Sequence, residues 1–171
     1  MRKIKPMNRF ALFVVLWGGT FSMCFAQQAP AMSTTSCSFQ DGKQISVRYE
    51  SQTNGDKKAM AIGRLWTPGG QPMWLFTQAA LSVDASEVPI GAYSMYIIPD
   101  KDNWILIVNK NVTAHSNYNE HEDLARVKMP LGQLSEPQKN LDVMFGHVAP
   151  KQCNMRIYYG KAGGWAEFKE K

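Results

Sequence analysis

From Cys37 onward the chain alternates apolar and polar residues, and glycine and proline interrupt this alternation at short intervals. Ile45, Val47 and Tyr49 show the pattern clearly, since a polar side chain follows each of them. A period of two places successive side chains on opposite faces, which is the geometry of a half-buried strand. The sequence therefore predicts an all-β domain.

The clearest predicted element is a hairpin. Its two strands, Ala92–Ile98 and Trp104–Val108, are rich in aromatic and β-branched residues, and the polar segment Pro99–Asn103 between them predicts a tight turn. Asn109–Asp123 predicts a polar loop with at most one helical turn. Cys37–Phe39 and Ile45–Tyr49 predict either a second hairpin or one strand with a bulge at Gly42. The other strand candidates are Met60–Trp66, Met73–Thr77, Leu81–Val83, Leu124–Met129, Leu141–Phe145, Met155–Tyr159 and Trp165–Phe168.

Short strands at this spacing, separated by turn residues, are typical of one particular architecture. About nine or ten of them predict a single antiparallel β-sandwich, either jelly-roll-like or Greek-key. The segment Leu131–Asn140 follows Pro130 and contains Pro137. Its pattern of apolar and polar residues is mixed, and it is not assigned to a strand.

The first 26 residues have the order of a secretory signal peptide. Four basic residues lie among the first nine, and Phe10–Phe25 is almost wholly apolar. Cys24 and Ala26 then stand at positions −3 and −1 of a cleavage site before Gln27. We therefore expect export to the periplasm or the exterior, with Gln27–Ser36 as a flexible lead-in and residues 37–171 as one β-sandwich domain.

Two other fates of the same segment stay open. In the first alternative, the apolar stretch is kept as an uncleaved membrane anchor, although Gly18 and Gly19 interrupt it. In the second alternative, Cys24 is the lipidated residue of a lipoprotein, although the preceding Met23 is larger than the small residue that such a signal prefers. Cleavage agrees better with the residues around Ala26.

Removal of this segment changes the charge balance. The whole chain has 19 basic and 14 acidic residues and a formal net charge of +5, but four of the basic residues and none of the acidic ones precede Gln27. The nearly neutral remainder contains no basic run that would attract nucleic acid. It also contains no window of the ~18 apolar residues that a membrane span requires. The sequence therefore predicts neither binding to nucleic acid nor a membrane span after cleavage.

Cys37 and Cys153 are the two cysteines that would remain after cleavage. In an exported domain such a pair predicts a disulfide, which would close a loop of more than a hundred residues and contribute about 4–5 kcal/mol in the chain-entropy treatment. Two buried free thiols are the alternative. A redox-active pair is a third interpretation, although the spacing is not that of a Cys-x-x-Cys motif.

Several segments together resemble the exported bacterial family called domain of unknown function 2911. The central match is Val88–Pro99, with its Pro-x-Gly-x-Tyr-Ser pattern, followed by Trp104–Lys110. Cys37–Lys43 resembles the opening of the family, and Leu124–Val127 and Leu141–Val143 resemble its later strands. The resemblance covers about Cys37 to Tyr159 and implies a β fold and an exported protein, but no established activity.

One departure from the family concerns the segment after Leu65-Trp66. Members commonly have an arginine, a glycine and an Asn-Glu pair there, and this group is suited to a polar pocket. Here the residues are Thr67–Pro72, without the arginine and the glutamate. The role of those charged residues is therefore not carried over to this chain.

Aromatic residues provide the main indication of binding. Trp66 and Trp74 flank the Pro-Gly loop, which also contains Gln71, and such aromatics can stack on a sugar or line an apolar groove. The alternative is that these tryptophans fill the core of a small β domain. The doublets Gly69-Gly70 and Gly163-Gly164 are interpreted as turn residues.

A metal site is the weaker indication. His115, His121 and Glu122 are its candidate ligands, but their spacing fits neither the i, i+4 pattern of a helix nor alternate positions of a strand. A solvated polar loop explains the same residues. Neither a Gly-x-Ser-x-Gly nucleophile motif nor a phosphate-binding or dinucleotide-binding glycine motif is present in the sequence.

Two hypotheses about function follow. The first is a non-enzymatic exported binding or scaffold domain for a small molecule, a glycan or an envelope component, with Trp66, Gln71 and Trp74 at the contact and without a cofactor. The second is a small exported enzyme, such as a metal-assisted hydrolase, that uses the His115–Asp123 loop.

Overall fold

The computed structural model of the protein describes residues 32–51, 60–67, 70–113 and 118–171. These residues form nine strands and one three-residue 3₁₀ helix, Glu120–Glu122, which is much too short to cross a membrane. The strands are β1 Met32–Ser38, β2 Gln44–Glu50, β3 Met73–Thr77, β4 Leu81–Val83, β5 Ser86–Val88, β6 Gly91–Pro99, β7 Asn103–Asn109, β8 Asp123–Ala149 and β9 Gln152–Glu170.

The described strands form one antiparallel sheet in the order β1-β2-β3-β6-β7-β8-β9-β4-β5. The all-β prediction is therefore confirmed. The predicted central hairpin is confirmed as β6 and β7, each of which extends one residue beyond the predicted bounds at both ends. β3 and β4 have the predicted bounds, and the 3₁₀ helix lies in the loop for which one helical turn was expected.

Three predicted segments differ from the structure. β1 begins at Met32, so it includes the last five residues of the expected lead-in Gln27–Ser36. Met60–Trp66 is not a strand: it turns at Ile62 and Gly63, and only Trp66 pairs, through a single bridge to Ile97. β5, a strand of three residues that pairs with β4, lies in a segment that was not assigned to a strand.

The last four predicted strands are joined into two long ones. β8 has 27 residues and β9 has 19, and a straight strand of 27 residues would be roughly 90 Å long. The ladder between β8 and β9 is irregular between Gln133 and Asp142. Irregular pairing of this kind bends a strand. The first part of β8 therefore pairs with β7, while its second part runs beside the start of β9.

The bend brings β8 and β9 close to β1. The disulfide between Cys37 in β1 and Cys153 in β9 has a Cα–Cα distance of 6.3 Å and confirms the predicted pair. The backbone N–H of Gln40 donates to Pro150 O at 2.9 Å, and the hydroxyl of Tyr49 donates to Asp142 Oδ1 at 3.4 Å. The sheet thus closes on itself around a common core.

Alternating side chains of the strands fill this core. Its largest fully buried members include Ile45, Leu75, Met95, Leu106 and Phe168, each at most 1% exposed. Tyr96 and Ile107 are also buried but lie outside the core cluster, on the opposite face of β6 and β7. Tyr118 packs against Tyr96 with a ring distance of 5.1 Å, so the Tyr118 side chain covers part of this second face.

Removal of the disulfide is expected to destabilise the fold strongly. The bond closes a loop with a sequence separation of 116, so the Cys37→Ala/Cys153→Ala variant should lose about 2–5 kcal/mol of unfolding free energy. Urea unfolding of the purified protein measures this loss. Cys24→Ala is the control and should leave stability unchanged, because Cys24 lies in the segment predicted to be removed. Equal stability of the double variant and the parent would contradict the closed arrangement.

Candidate functional site

The structure separates the aromatic residues that the sequence singled out. Trp66 is 5% exposed, and its ring packs edge-on against Trp104 at 6.0 Å and Tyr159 at 4.7 Å. Its backbone N–H donates to Ile97 O at 2.7 Å. Trp66 therefore lies in the core, as the alternative interpretation held.

Trp74 lies on the other side of the sheet. Its neighbours in β3, Met73 and Leu75, are fully buried in the core, so its half-buried ring points to the outer face. Gln71 is half-buried, and the Pro68 and Gly69 positions lie outside the described residues. The two tryptophan rings thus lie on opposite sides of the sheet and do not form one contact surface.

The candidate metal ligands do not form a described cluster. His121 is exposed and its backbone N–H donates to Asn119 Oδ1, while Glu122 is half-buried and its carbonyl accepts from the backbone of Lys110. Within the described residues, no group of three or more His, Cys, Asp or Glu side chains converges on a metal position. His115 lies outside these residues, so the prediction for it is untested.

Asp123 organises the described ends of the same loop. Its carboxylate accepts hydrogen bonds from Asn109 Nδ2 at 2.7 Å and Tyr118 Oη at 2.6 Å, and pairs with Arg126 Nη1 at 3.1 Å. Burial raises the pKa of the Tyr118 phenol, and the hydrogen bond that it donates to Asp123 raises this pKa further. Three donors on one carboxylate indicate an anchor for the loop rather than a general base.

A cleft between β8 and β9 is a candidate site. Its volume is about 320 Å³, which lies in the range of small-molecule sites. Its outer wall is the start of β9, where side chains alternate with the buried core residues Cys153, Met155 and Ile157. This β8–β9 cleft is lined by Gly132, Gln133, Leu134, Asn154, Arg156, Tyr158, Gly163, Gly164 and Trp165.

Two paired glycines make room for aromatic rings in the cleft. Gly132 and Gly163 are partners in the β8–β9 ladder. A Cβ on Gly163 would lie 2.6 Å from Tyr158 Cδ1, so that ring packs directly on the glycine backbone. A Cβ on Gly132 would lie 3.7 Å from Trp165 Cζ3, which is an ordinary contact. Each glycine therefore has one ring beside it.

Polar groups are held beside these rings. Arg156 Nε donates to Asn154 Oδ1 at 3.1 Å, which uses one of the five N–H donors of the guanidinium. Asn154 is 7% exposed and fixes the position of the more exposed Arg156. The Trp165 side of the cleft is open, since this residue is 38% exposed. The cleft thus combines apolar ring surface with hydrogen-bond donors and acceptors.

Sequence reasoning missed this cleft. The available signal was the doublet Gly163-Gly164 followed by Trp165, which was interpreted as a turn. The structure places the doublet inside β9, where Gly163 packs against Tyr158. Gly164 serves the core, because a Cβ there would lie 3.1 Å from Trp104 and 3.3 Å from Leu131 and Met129.

The described residues thus define an all-β, disulfide-linked domain with an open cleft lined by aromatic and polar residues. The family described as "protein of unknown function (DUF2911)" matches residues 30–164. The chain belongs to this family, which confirms the resemblance inferred from its strand motifs. No curated protein and no solved structure shows significant similarity to the chain.

A matched pair of glycine variants tests the construction of the cleft. Gly163→Ala forces the Tyr158 ring away and should cost about 1–3 kcal/mol of unfolding free energy. Gly132→Ala, at the partner position in the ladder, should change stability by less than about 0.5 kcal/mol, because its Cβ meets only an ordinary contact. Urea unfolding measures both. Equal stabilities of the two variants would contradict the packing of Tyr158 on Gly163.

Proposed function

We propose that the protein is an exported binding domain that takes a sugar ring in the β8–β9 cleft. The observation that carries this proposal is the placement of the Tyr158 and Trp165 rings beside two paired glycines in a cleft of about 320 Å³. A pyranose has an apolar C–H face and a rim of hydroxyl groups. An exposed aromatic ring next to fixed polar groups complements both parts.

Arg156 indicates which sugars are preferred. A guanidinium pairs with a carboxylate through two parallel hydrogen bonds, which a neutral hydroxyl cannot reproduce. Arg156 is the single charged residue among the described residues that line the cleft. We therefore expect a uronic acid, whose carboxylate extends from the sugar ring, to bind better than the neutral sugar of the same stereochemistry.

Within the β8–β9 cleft itself, the composition of the lining supports binding of a sugar ring rather than its hydrolysis. The described lining residues include no carboxylate, imidazole, thiol or aliphatic hydroxyl. Hydrolysis of a glycosidic bond commonly uses two carboxylates on either side of the bond. The enzyme hypothesis for the His115–Asp123 loop gains no support from Asp123, whose carboxylate is held by Asn109, Tyr118 and Arg126.

The proposed function includes export of the protein from the cytoplasm. The order of basic, apolar and small residues in the first 26 positions supports cleavage before Gln27, and the disulfide is compatible with an oxidising compartment.

We also propose that the closed sheet is a two-layer sandwich. The contacts of β1 with β8 support this arrangement, as does the packing of Phe145 on Phe168 at 6.2 Å.

Galacturonate and galactose are the probes that test this function. The protein is purified in its exported form from the full-length chain, and binding is followed by NMR titration at millimolar sugar. We expect galacturonate to bind and galactose to bind more weakly. Trp165→Ala should weaken galacturonate binding at least about tenfold, because a central aromatic contact is worth more than about 1.4 kcal/mol.

Trp74→Ala is the matched control, since Trp74 is also a partly exposed tryptophan of the sheet but lies outside the cleft. It should leave the affinity unchanged, and near-UV circular dichroism checks that both variants fold. The proposal is wrong if neither sugar binds, or if Trp74→Ala abolishes binding while Trp165→Ala does not.

A further inference from the structure

We infer that the ligand is a chain of at least two linked sugar rings, which passes over Trp165 from the β8–β9 cleft into a second, adjoining cleft. This inference rests on the proposed function and defines its ligand more closely. Its basis is that Trp165 lines both clefts. The second cleft has a volume of about 490 Å³, so it is also large enough for a small molecule.

The second cleft lies between the first part of β8 and the last part of β9. Lys128 and Pro130 line it from β8, and Trp165, Glu167 and Lys169 line it from β9. All five side chains are exposed.

Met129, Ala166 and Phe168 lie between these five and Val127 precedes Lys128; all four are buried in the core, and Val127 and Ala166 also line the cleft. Because strand side chains alternate, the five exposed side chains point away from the core. The second cleft is therefore a feature of the outer surface of the sheet.

The two clefts share one row of outward positions. On β8 the row runs from Lys128 through Pro130 to Gly132, and it passes from the second cleft into the first. Four residues of strand span about 13 Å, which is longer than one sugar ring. The Trp165 ring lies beside Gly132 and so stands at the junction. A ligand centred on this ring reaches both clefts only if it has more than one ring.

The chemistry of the second cleft suits hydroxyl groups. Lys128 and Lys169 provide donors there, and Asp84 and Glu167 provide acceptors. The Lys169 Nζ and Glu167 Oε2 atoms are 3.8 Å apart, and both side chains are at least half exposed. An exposed pair of this kind is weak, so both groups can bond to a ligand. The mixed charges predict that this cleft holds the rim of a sugar, while Arg156 holds a carboxylate in the first cleft.

Chain length is the variable that tests this inference. Binding of tetragalacturonate and of galacturonate to the exported protein is measured by calorimetry and NMR titration. We expect the tetramer to bind at least about tenfold more tightly, because its second contact forms at the effective concentration set by the linkage. Lys128→Gln should lower the affinity for the tetramer severalfold and leave that for the monomer unchanged.

Lys139→Gln is the matched control, since Lys139 is an exposed lysine of the same strand outside the lining of both clefts. It should change neither affinity. Equal affinities for tetramer and monomer, or a tetramer affinity that Lys128→Gln does not change, would overturn the inference and leave the single-ring function standing. Failure of both probes to bind would overturn the proposed function itself, so the two failures are distinguishable.

Discussion

The contact between β1 and the β8–β9 pair is the constraint on which the rest of the structure depends. β1 stands at one end of the strand order and β9 near the other, yet the disulfide from Cys37 to Cys153 joins them. Lys43, in the turn after β1, donates a hydrogen bond of 2.9 Å from its Nζ to Glu170 Oε1 at the end of β9. This bond is a second connection between the β1 region and β9. Without this closure, the apolar face of the sheet would stay open to water, and burial of that face is the main source of stability.

Closure also explains why the candidate site lies where it does. To return to β1, β8 and β9 must bend, and irregular pairing near Gln133 together with glycines permits the bend. The same region contains Gly132 and Gly163, whose missing side chains leave room for Trp165 and Tyr158. The cleft is therefore a consequence of the way the sheet closes. The cleft lies beside this irregular stretch, and the residues around it provide rings and hydrogen-bonding groups.

The predictable parts of the fold were those in which local pattern and tertiary environment agree. The hairpin β6–β7 has dense aromatic and β-branched residues around a polar turn, and an alternating pattern predicted β3 and β4 correctly. Met60–Trp66 has a similar local composition, but only Trp66 finds a strand partner. Pro130 and Pro137 suggested breaks, yet β8 continues through both, because Pro130 is at the end of the β7 ladder and Pro137 lies in the irregular stretch of the β9 ladder. The cleft was not predictable from spacing, because Asn154, Arg156 and Trp165 meet only after the bend.

Peptide mapping of the purified protein under non-reducing conditions tests the central claim most directly. Trypsin cleaves after Lys43, Lys151 and Arg156, so the closed structure predicts one disulfide-linked pair: a peptide that ends at Lys43, joined to Gln152–Arg156. The first of these peptides should begin at Gln27 if the signal segment is removed. Alkylation of both Cys37 and Cys153 as free thiols, or a bond from either of them to Cys24, would contradict the account.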